Sequence, residues 1–304
     1  MKIDRILYPT DFSRTARQAL THALFLAEQY DAELHLLHAV VLHEYDPNDP
    51  EHRFPEPKEL LKRMFEIADS EMTELLGSQE DGPLEIHEAK RKGFAAGEVI
   101  LDYAAEVDAD LIVMGTHGRR GAARLLLGSV AAEVVRRAKC PVMTLGHREE
   151  PRAIETFERI LVPVDFSEYS QAAIRYAEEL AGRYEASLQL LHVVEVPTYP
   201  YFYVPPEEEY LESRKDRAGQ ALNELASEAL VTPVSCSTHV RNGRAASEIV
   251  SFGEENDSDL LVITTHGLSG LDRLLMGSTA EEVLSRVSMP VLTVMSMVES
   301  PAMF

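Results

Sequence analysis

Apolar residues along the chain alternate between short β-rich runs and longer stretches of helical period, and the whole alternation occurs twice. In the first half it predicts strands near residues 3–8, 33–41, 84–91, 110–115 and 141–145. Helices are predicted near 13–30, 58–77, 96–107 and 129–139, the last ended by Pro141. The second half repeats the order, with strands near 158–164, 187–195, 233–241, 259–264 and 290–295. Its helices fall near 167–184, 208–230, 245–256 and 278–288, after a polar connector around residues 147–151. Strand–helix alternation of this kind builds a parallel sheet with right-handed crossovers and helices on both faces. In such sheets ligands sit beyond the carboxyl ends of the strands, where the strand order reverses.

A chain of 304 residues accommodates two domains of about 150 residues, each large enough for its own core. An offset of 154 carries Asp11 onto Asp165 and His38 onto His192, and it falls to 149 for Gly118 onto Gly267. The drop falls mostly between residues 40 and 90, so whole-domain duplication with a variable insertion explains the pattern better than a short solenoid repeat. The expected domains are 1–147 and 156–297. Acidic, Pro-rich segments Asp46 to Pro57 and Pro197 to Glu209 interrupt equivalent positions, as solvated loops or as lids and partner surfaces.

Charge narrows the function classes. Lys plus Arg number 29 against 51 Asp plus Glu, a net charge of −22 that argues against a nucleic-acid or anionic-membrane surface. That excess fits a salt-adapted source as well as ordinary solubility. Cys140 and Cys236 occupy non-equivalent places and form no C-x-x-C pattern, as in a reduced cytoplasmic protein. With no signal-peptide pattern and no apolar run of about 18 residues, the expectation is a soluble, unexported, cytoplasmic chain.

Two loops in each half carry the chemistry. Pro9-Thr10-Asp11-Phe12-Ser13 follows the first strand and is matched by Pro163-Val164-Asp165-Phe166-Ser167. Gly115-Thr116-His117-Gly118 follows the fourth strand, with Gly128-Ser129 after nine further residues; the second copy reads Thr264-Thr265-His266-Gly267 and Gly277-Ser278. Glycines allow close backbone approach, and a helix start offers N–H groups and partial positive charge, so the second loop reads as a phosphate cradle. Asp11 belongs at the sugar or base end, because a carboxylate repels phosphates but accepts from hydroxyl and amino donors. Arg119, Arg120 and Arg124 would add cations or form a solvated face, and Ser129 alone also reads as an ordinary N-cap.

The G-x-x-G-x9-G-[S/T] pattern after the fourth strand, with P-x-D after the first, resembles the universal stress protein family in tandem form. This resemblance covers nearly the whole chain. It implies an α/β fold of two tandem doubly wound parallel five-stranded sheets, strand order 3-2-1-4-5, with helices on both faces. It also implies binding of ATP, or of AMP or ADP, in stress adaptation, with Mg²⁺ carried by a triphosphate. Matched position by position, Pro9 and Asp11 become adenine and ribose contacts, and Ala39 a strand-end backbone contact to the base. Met114 and Gly115 fall on the adenine and ribose side of the fourth strand, and Gly118, Gly128, Ser129 and Val130 in the phosphate cradle. Pro163, Asp165, Val193, Gly267, Gly277, Ser278 and Thr279 match in the second copy, where Thr264 replaces the first glycine. Threonine brings a Cβ where the family closes on the sugar and tolerates positive φ poorly, so the second site is expected to bind more weakly or differently.

Competing chemistry is sparse. No G-x-x-x-x-G-K-[ST], G-x-S-x-G or H-E-x-x-H occurs, nor do the H-x-G-H and S-G-G-x-D-S signatures of nucleotidyl transferases and ATP pyrophosphatases. His35 and His38 point to opposite faces of one strand, so they form no metal pair and read as core or strand-end residues. His117 and His266 finish the turn or contact the nucleotide, while Gly121 and Gly270 add loop flexibility. Cys140, before Pro141, reads as apolar packing. No general base is evident, so no catalytic residue and no metal ligand is assigned, and turnover is expected to be at most slow ATP hydrolysis. The leading expectation is a nucleotide-binding regulator with an unidentified protein partner. Its rivals are a slow enzyme and a scaffold with structural nucleotide or none. The apolar fifth strands suit an intrachain pseudo-dimer, or pairing into a homodimer.

Overall fold

The central apolar runs, Leu111–Gly115 and Leu260–Thr264 among them, fold as parallel strands buried on both faces, which is why they read as nearly continuous rather than alternating. A computed structural model describes residues 2–41, 57–77, 83–116, 127–146, 156–195, 208–265 and 276–295. Two compact units, Lys2–Ile154 and Glu155–Phe304, divide the chain.

In the first unit the order is β1 (Arg5–Pro9), α1 (Arg14–Tyr30), β2 (Glu33–Val41), α2 (Pro57–Leu76), β3 (Ile86–Gly93), α3 (Ala96–Glu106), β4 (Leu111–Gly115), α4 (Ser129–Arg137) and β5 (Val142–Leu145). β1 pairs in parallel with β2 and β4, β2 with β3, and β4 with β5, giving the order 3-2-1-4-5. The second unit runs β6 (Arg159–Pro163), α5 (Glu168–Tyr184), β7 (Ser187–Val194), α6 (Glu208–Ala229), β8 (Cys236–Asn242), α7 (Ala245–Glu255), β9 (Leu260–Thr264), α8 (Ser278–Arg286) and β10 (Val291–Val294). Its pairings repeat the same parallel topology.

Each crossover packs because its helix has a narrow apolar face. α1 turns Ala16, Ala19, Ala23, Leu26 and Ala27 inward, all buried, and these small residues let it lie close to the sheet. Ser13 caps its start by accepting from the Ala16 amide, and Ser167 does the same for α5. Right-handed connections place α1 and α2 on one face of the first sheet and α3 and α4 on the other. Asp110 Oδ2 accepts from the amides of Asp4 and Arg5 at 2.9 Å each, tying the entry of β1 to that of β4; Asp259 repeats this with Glu158 and Arg159.

Expected and observed elements agree in type throughout, with ends moved by up to three residues. α4 stops at Arg137 rather than 139, because Ala138 turns extended and buries itself ahead of Cys140 and Pro141. The acidic segments expected as loops or lids lie outside the described residues, apart from Pro57 at the start of α2 and Glu208 and Glu209 at the start of α6. Among the described residues, no helix is long and apolar enough to cross a membrane.

One buried carboxylate ties α5 to the segment between α6 and β8. Glu178 on α5 accepts from the Val231 amide at 2.6 Å and from the Thr232 amide and hydroxyl, the latter at 2.7 Å. Burial opposes its ionisation, but the Thr232 and Val231 donors outweigh it and hold the carboxyl below the usual carboxylate range. A depressed folded-state pKa contributes stability that is present above the unfolded value and is lost as pH falls through the folded one. Glu178→Gln should therefore cost about 1–2 kcal/mol at pH 7. Urea denaturation across pH should show that difference shrinking below about pH 4.3, the unfolded carboxyl value.

Candidate functional site

Reversal of strand order at β1 and β6 sends the loops after β1 and β4, and after β6 and β9, to opposite faces, and a crevice opens between them. The first loop is fixed largely by its own backbone. Thr10 N donates to Leu37 O at 2.8 Å, and Asp11 Oδ1 accepts from the Ser13 amide at 3.0 Å. His38 Nδ1 donates to the Thr10 carbonyl at 2.8 Å, which fixes its tautomer, because a carbonyl only accepts. Phe12 takes a left-handed φ of 63° and lies against the His38 ring at 4.6 Å between centroids. The second unit reproduces each feature: Val164 N to Leu191 O at 2.8 Å, Ser167 N to Asp165 Oδ1 at 3.0 Å, His192 Nδ1 to Val164 O at 2.7 Å, and Phe166 at φ 64°.

A bulky residue at positive φ is strained, and strain of this kind concentrates at functional loops. Here the histidine at the strand end holds the aromatic ring that takes the strain. Its role is therefore to position the P-x-D loop, a sharper assignment than the general strand-end role expected for His38. In the first unit Tyr8 adds a further tie, donating from its buried hydroxyl to Ala16 O at 2.6 Å. Burial raises its pKa well above the usual tyrosine value. Val162 stands there in the second unit.

Across the crevice the second loop is closed at its base. Gly128 N donates to Thr116 O at 2.9 Å, and Gly277 N to Thr265 O at 2.8 Å. Both glycines are the N-cap residues of their helices, with extended backbone and no side-chain cap. Ser129 and Ser278 are consequently the first helical residues, correcting the alternative that Ser129 is itself the cap. A glycine cap leaves the opening amides of α4 and α8 without a side-chain acceptor, as an anion site needs.

The close approach at Gly115 is other than the expected one. Its φ is not positive, and a Cβ built on it would lie 3.1 Å from the Thr15 carbonyl carbon and 3.2 Å from the Ala16 amide. The close approach is to the first turn of α1. Thr264, its counterpart, lines the second crevice, as does Ser170.

That second crevice is a cavity of about 500 Å³. It brings together Pro163, Asp165, Val193, Gly277, Ser278 and Thr279, every described residue of those expected in that copy. Gly118, Gly267, His117, His266, Gly121, Gly270 and the three loop arginines lie outside the described residues. In the first unit Pro9 and Met114 are buried, while Asp11, Ala39, Gly115, Gly128 and Val130 are partly exposed and Ser129 is exposed. Glu195, Arg214 and Ile249 also line the cavity and were not anticipated. Glu195 accepts from the Ala245 amide at 3.1 Å, at the start of α7. Arg214 sits on α6, whose polar spacing carries no mark distinguishing it from other surface cations.

The thiols are outside this chemistry. Both are free, and burial pushes Cys140 up to about 11 and raises Cys236 as well, so neither is a ready nucleophile near neutral pH.

Each unit is a doubly wound α/β module with a glycine-capped helix facing an acidic loop across the switch point, the place where open sheets of this class hold ligands. The family model described as "Universal stress protein family" matches residues 2–145 and 156–295, and the chain belongs to that family. It is similar to universal stress protein MJ0531 of Methanocaldococcus jannaschii, 34% identical over 141 residues, or 45% of this chain and 82% of that protein. Universal stress protein Mb2028c of Mycobacterium bovis is 30% identical over 191 residues, and the alignment spans 61% of each chain. In fold, the crystal structure of a universal stress protein from Archaeoglobus fulgidus DSM 4304 aligns with a TM-score of 0.69 at 20% identity, covering 97% of this chain and 99% of that one.

Gly115→Ala probes the α1 contact directly. Forcing a methyl group against Thr15 should cost about 1–3 kcal/mol. Chemical denaturation of the full chain checks this, and an unchanged midpoint would refute the packing account.

Proposed function

We propose that the chain is an adenine-nucleotide-binding stress-response regulator of the cytoplasm. It acts by holding ATP, or AMP or ADP, and presenting the loaded state to a protein partner. The observation that carries this reading is the cavity of about 500 Å³ in the second unit, which joins the P-x-D loop to a helix start with no side-chain cap. Its size falls in the range of about 300–1,000 Å³ that takes small ligands. Asp165 suits ribose hydroxyls or the adenine amino group, and Pro163 and Val193 offer an apolar wall and strand-end backbone to the base. The opening amides of α8, with Ser278 and Thr279, suit phosphate oxygens, and Arg214 supplies a cation. Asp11, Ala39, Met114, Gly115, Gly118, Gly128, Ser129 and Val130 form the corresponding site in the first unit. Mg²⁺ would arrive with a triphosphate. The free thiols of Cys140 and Cys236 fit a reducing compartment.

The two sites differ in strength under this reading. The fourth strand ends in Gly115 in the first unit and in Thr264, which lines the cavity, in the second. The first unit is then the tighter site and the second the weaker.

Calorimetric titration of the full chain with ATP should resolve these two classes, and mass spectrometry of ligand released from the purified protein should show an adenine nucleotide. Among the described residues a Cβ at Gly277 meets only Thr265 O, at 3.4 Å, so Gly277→Val should keep the fold while filling the phosphate end. It should remove the weak site, Gly118→Val should remove the tight one, and Thr264→Gly should strengthen the weak one by roughly tenfold, or about 1.4 kcal/mol. Undiminished ATP binding in the Gly118→Val, Gly277→Val double variant would refute the proposal.

A further inference from the structure

At the opposite end of the first sheet, where β2 and β3 begin, three side chains converge that the nucleotide reading does not use. Glu33 and His35 are two residues apart on β2 and share a face, and His35 pairs directly with His87 on β3. The two imidazoles stack at 4.8 Å between centroids with 28° between their planes. Glu33 Oε2 lies 3.5 Å from His35 Nε2 and 3.8 Å from His87 Nε2, and the three ligand atoms are all within 4.8 Å of one another. Glu85 approaches the same His87 nitrogen at 3.2 Å.

Polar bookkeeping within this cluster does not close. His35 is buried, with 7% of its surface exposed, and its Nε2 has no hydrogen-bond partner. The other nitrogen, Nδ1, lies 3.2 Å from the Tyr103 hydroxyl on α3. The Tyr103 hydroxyl either donates to Nδ1, leaving Nε2–H to face Glu33 Oε2 at 3.5 Å, or accepts from it, in which case Nε2 turns a buried lone pair toward the carboxylate and a cation between them satisfies both. Among the described residues, Glu33 has no lysine or arginine within ion-pairing distance; Arg5 is engaged instead by Val107 O at 2.7 Å and Asp108 at 3.8 Å.

The duplicate unit provides an internal comparison. Register places Ser187, Gln189 and Ser237 where the first unit has Glu33, His35 and His87. There Gln189 Oε1 accepts from the Ser258 hydroxyl at 2.8 Å, so the same buried position is satisfied by neutral groups. In the first unit Ala109 occupies the place of Ser258, after the same turn that ends α3, and cannot donate.

We propose that Glu33, His35 and His87, with Glu85 in reach, bind a divalent transition-metal ion such as Zn²⁺ across the start of β2 and β3. Imidazole nitrogens and carboxylate oxygens are borderline donors suited to zinc, at bond lengths of about 2.0–2.2 Å. Tetrahedral coordination at that length separates neighbouring donors by about 3.3 Å. Glu33 already stands near that spacing from both imidazoles, so only the two rings must close further. Tyr103 supplies the outer partner that a metal-bound imidazole commonly has on its second nitrogen, fixing ring and tautomer. The His87 side chain is 42% exposed and that of Glu33 44%, which leaves one side open for entry and for water to complete the shell. Since β3 is the edge strand, the ion would clip it to its neighbour.

Nucleotide-free full-length protein, stripped with chelator, would be titrated with ZnCl₂ against a chromophoric competitor, and with Co²⁺ for its d–d spectrum. One equivalent should bind tightly, with a Co²⁺ spectrum of low-coordinate imidazole ligation. His87→Ser and His35→Gln, which install the residues of the second unit, should each weaken binding by at least about tenfold, whereas His239→Ser in the second unit should leave it unchanged. If His35→Gln does not fold, the exposed His87→Ser decides. Zinc binding unaffected by His87→Ser, or absence of a stoichiometric site, would overturn the proposal.

Discussion

The whole arrangement depends on the reversal of crossover direction at the central strand of each sheet. Right-handed connections carry the chain from β1 outward over one face to β2, and from β3 back over the other face to β4. The loops after β1 and β4 must therefore part, and the sheet cannot close the gap. Backbone hydrogen bonds then set its width: Thr10 N to Leu37 O on one side and Gly128 N to Thr116 O on the other, with equivalents in the second unit. Asp11 and the start of α4 acquire their positions from these bonds, and the strained Phe12 is tolerated because His38 supports it.

Comparing the units separates what this frame requires from what each copy has changed. The acidic loop with its aromatic and histidine, the glycine cap and the aspartate tie at the sheet entry are common to both. The departures lie around that frame. Gly115 lies close against α1, whereas its counterpart in the second unit is Thr264, which lines the crevice. Tyr8 ties β1 to α1 by a hydrogen bond that Val162 cannot make. At the far end of the sheet, neutral Ser and Gln replace the histidine and glutamate pair. Such differences at constant topology fall where side chains meet ligand, helix or solvent, and spare the backbone frame.

Element type and order were legible in the sequence because buried parallel strands and one-sided helices leave strong periodic signals. The cleft was largely legible too, since its parts lie in short motifs repeated at a nearly constant offset, and Pro163, Asp165, Val193, Gly277, Ser278 and Thr279 do meet around one cavity. Contacts between elements far apart in the chain left no such mark. Nothing in the spacing of Arg214 says that α6 delivers it to the crevice, and the reason for Gly115 depends on where α1 lands. His35 was correctly separated from His38 by strand parity, but its actual neighbour, His87, is set by the β2–β3 register. Single-strand spacing contains no information on that register.

A net charge of −22 runs against the polyanionic ligand proposed for the crevice. Distance resolves the conflict. Surface charges are screened over about 8 Å at physiological ionic strength, so most of the acidic excess acts weakly on a ligand inside the cavity. The dipole at a helix start works within its first turn, where Gly277, Ser278 and Thr279 line the wall, and it acts across partly desolvated space. Arg214 adds a full positive charge at the same cavity, while Glu195 is engaged by the Ala245 amide. Local oriented groups therefore govern the crevice, and the acidic surface is free to serve solubility without setting ligand sign.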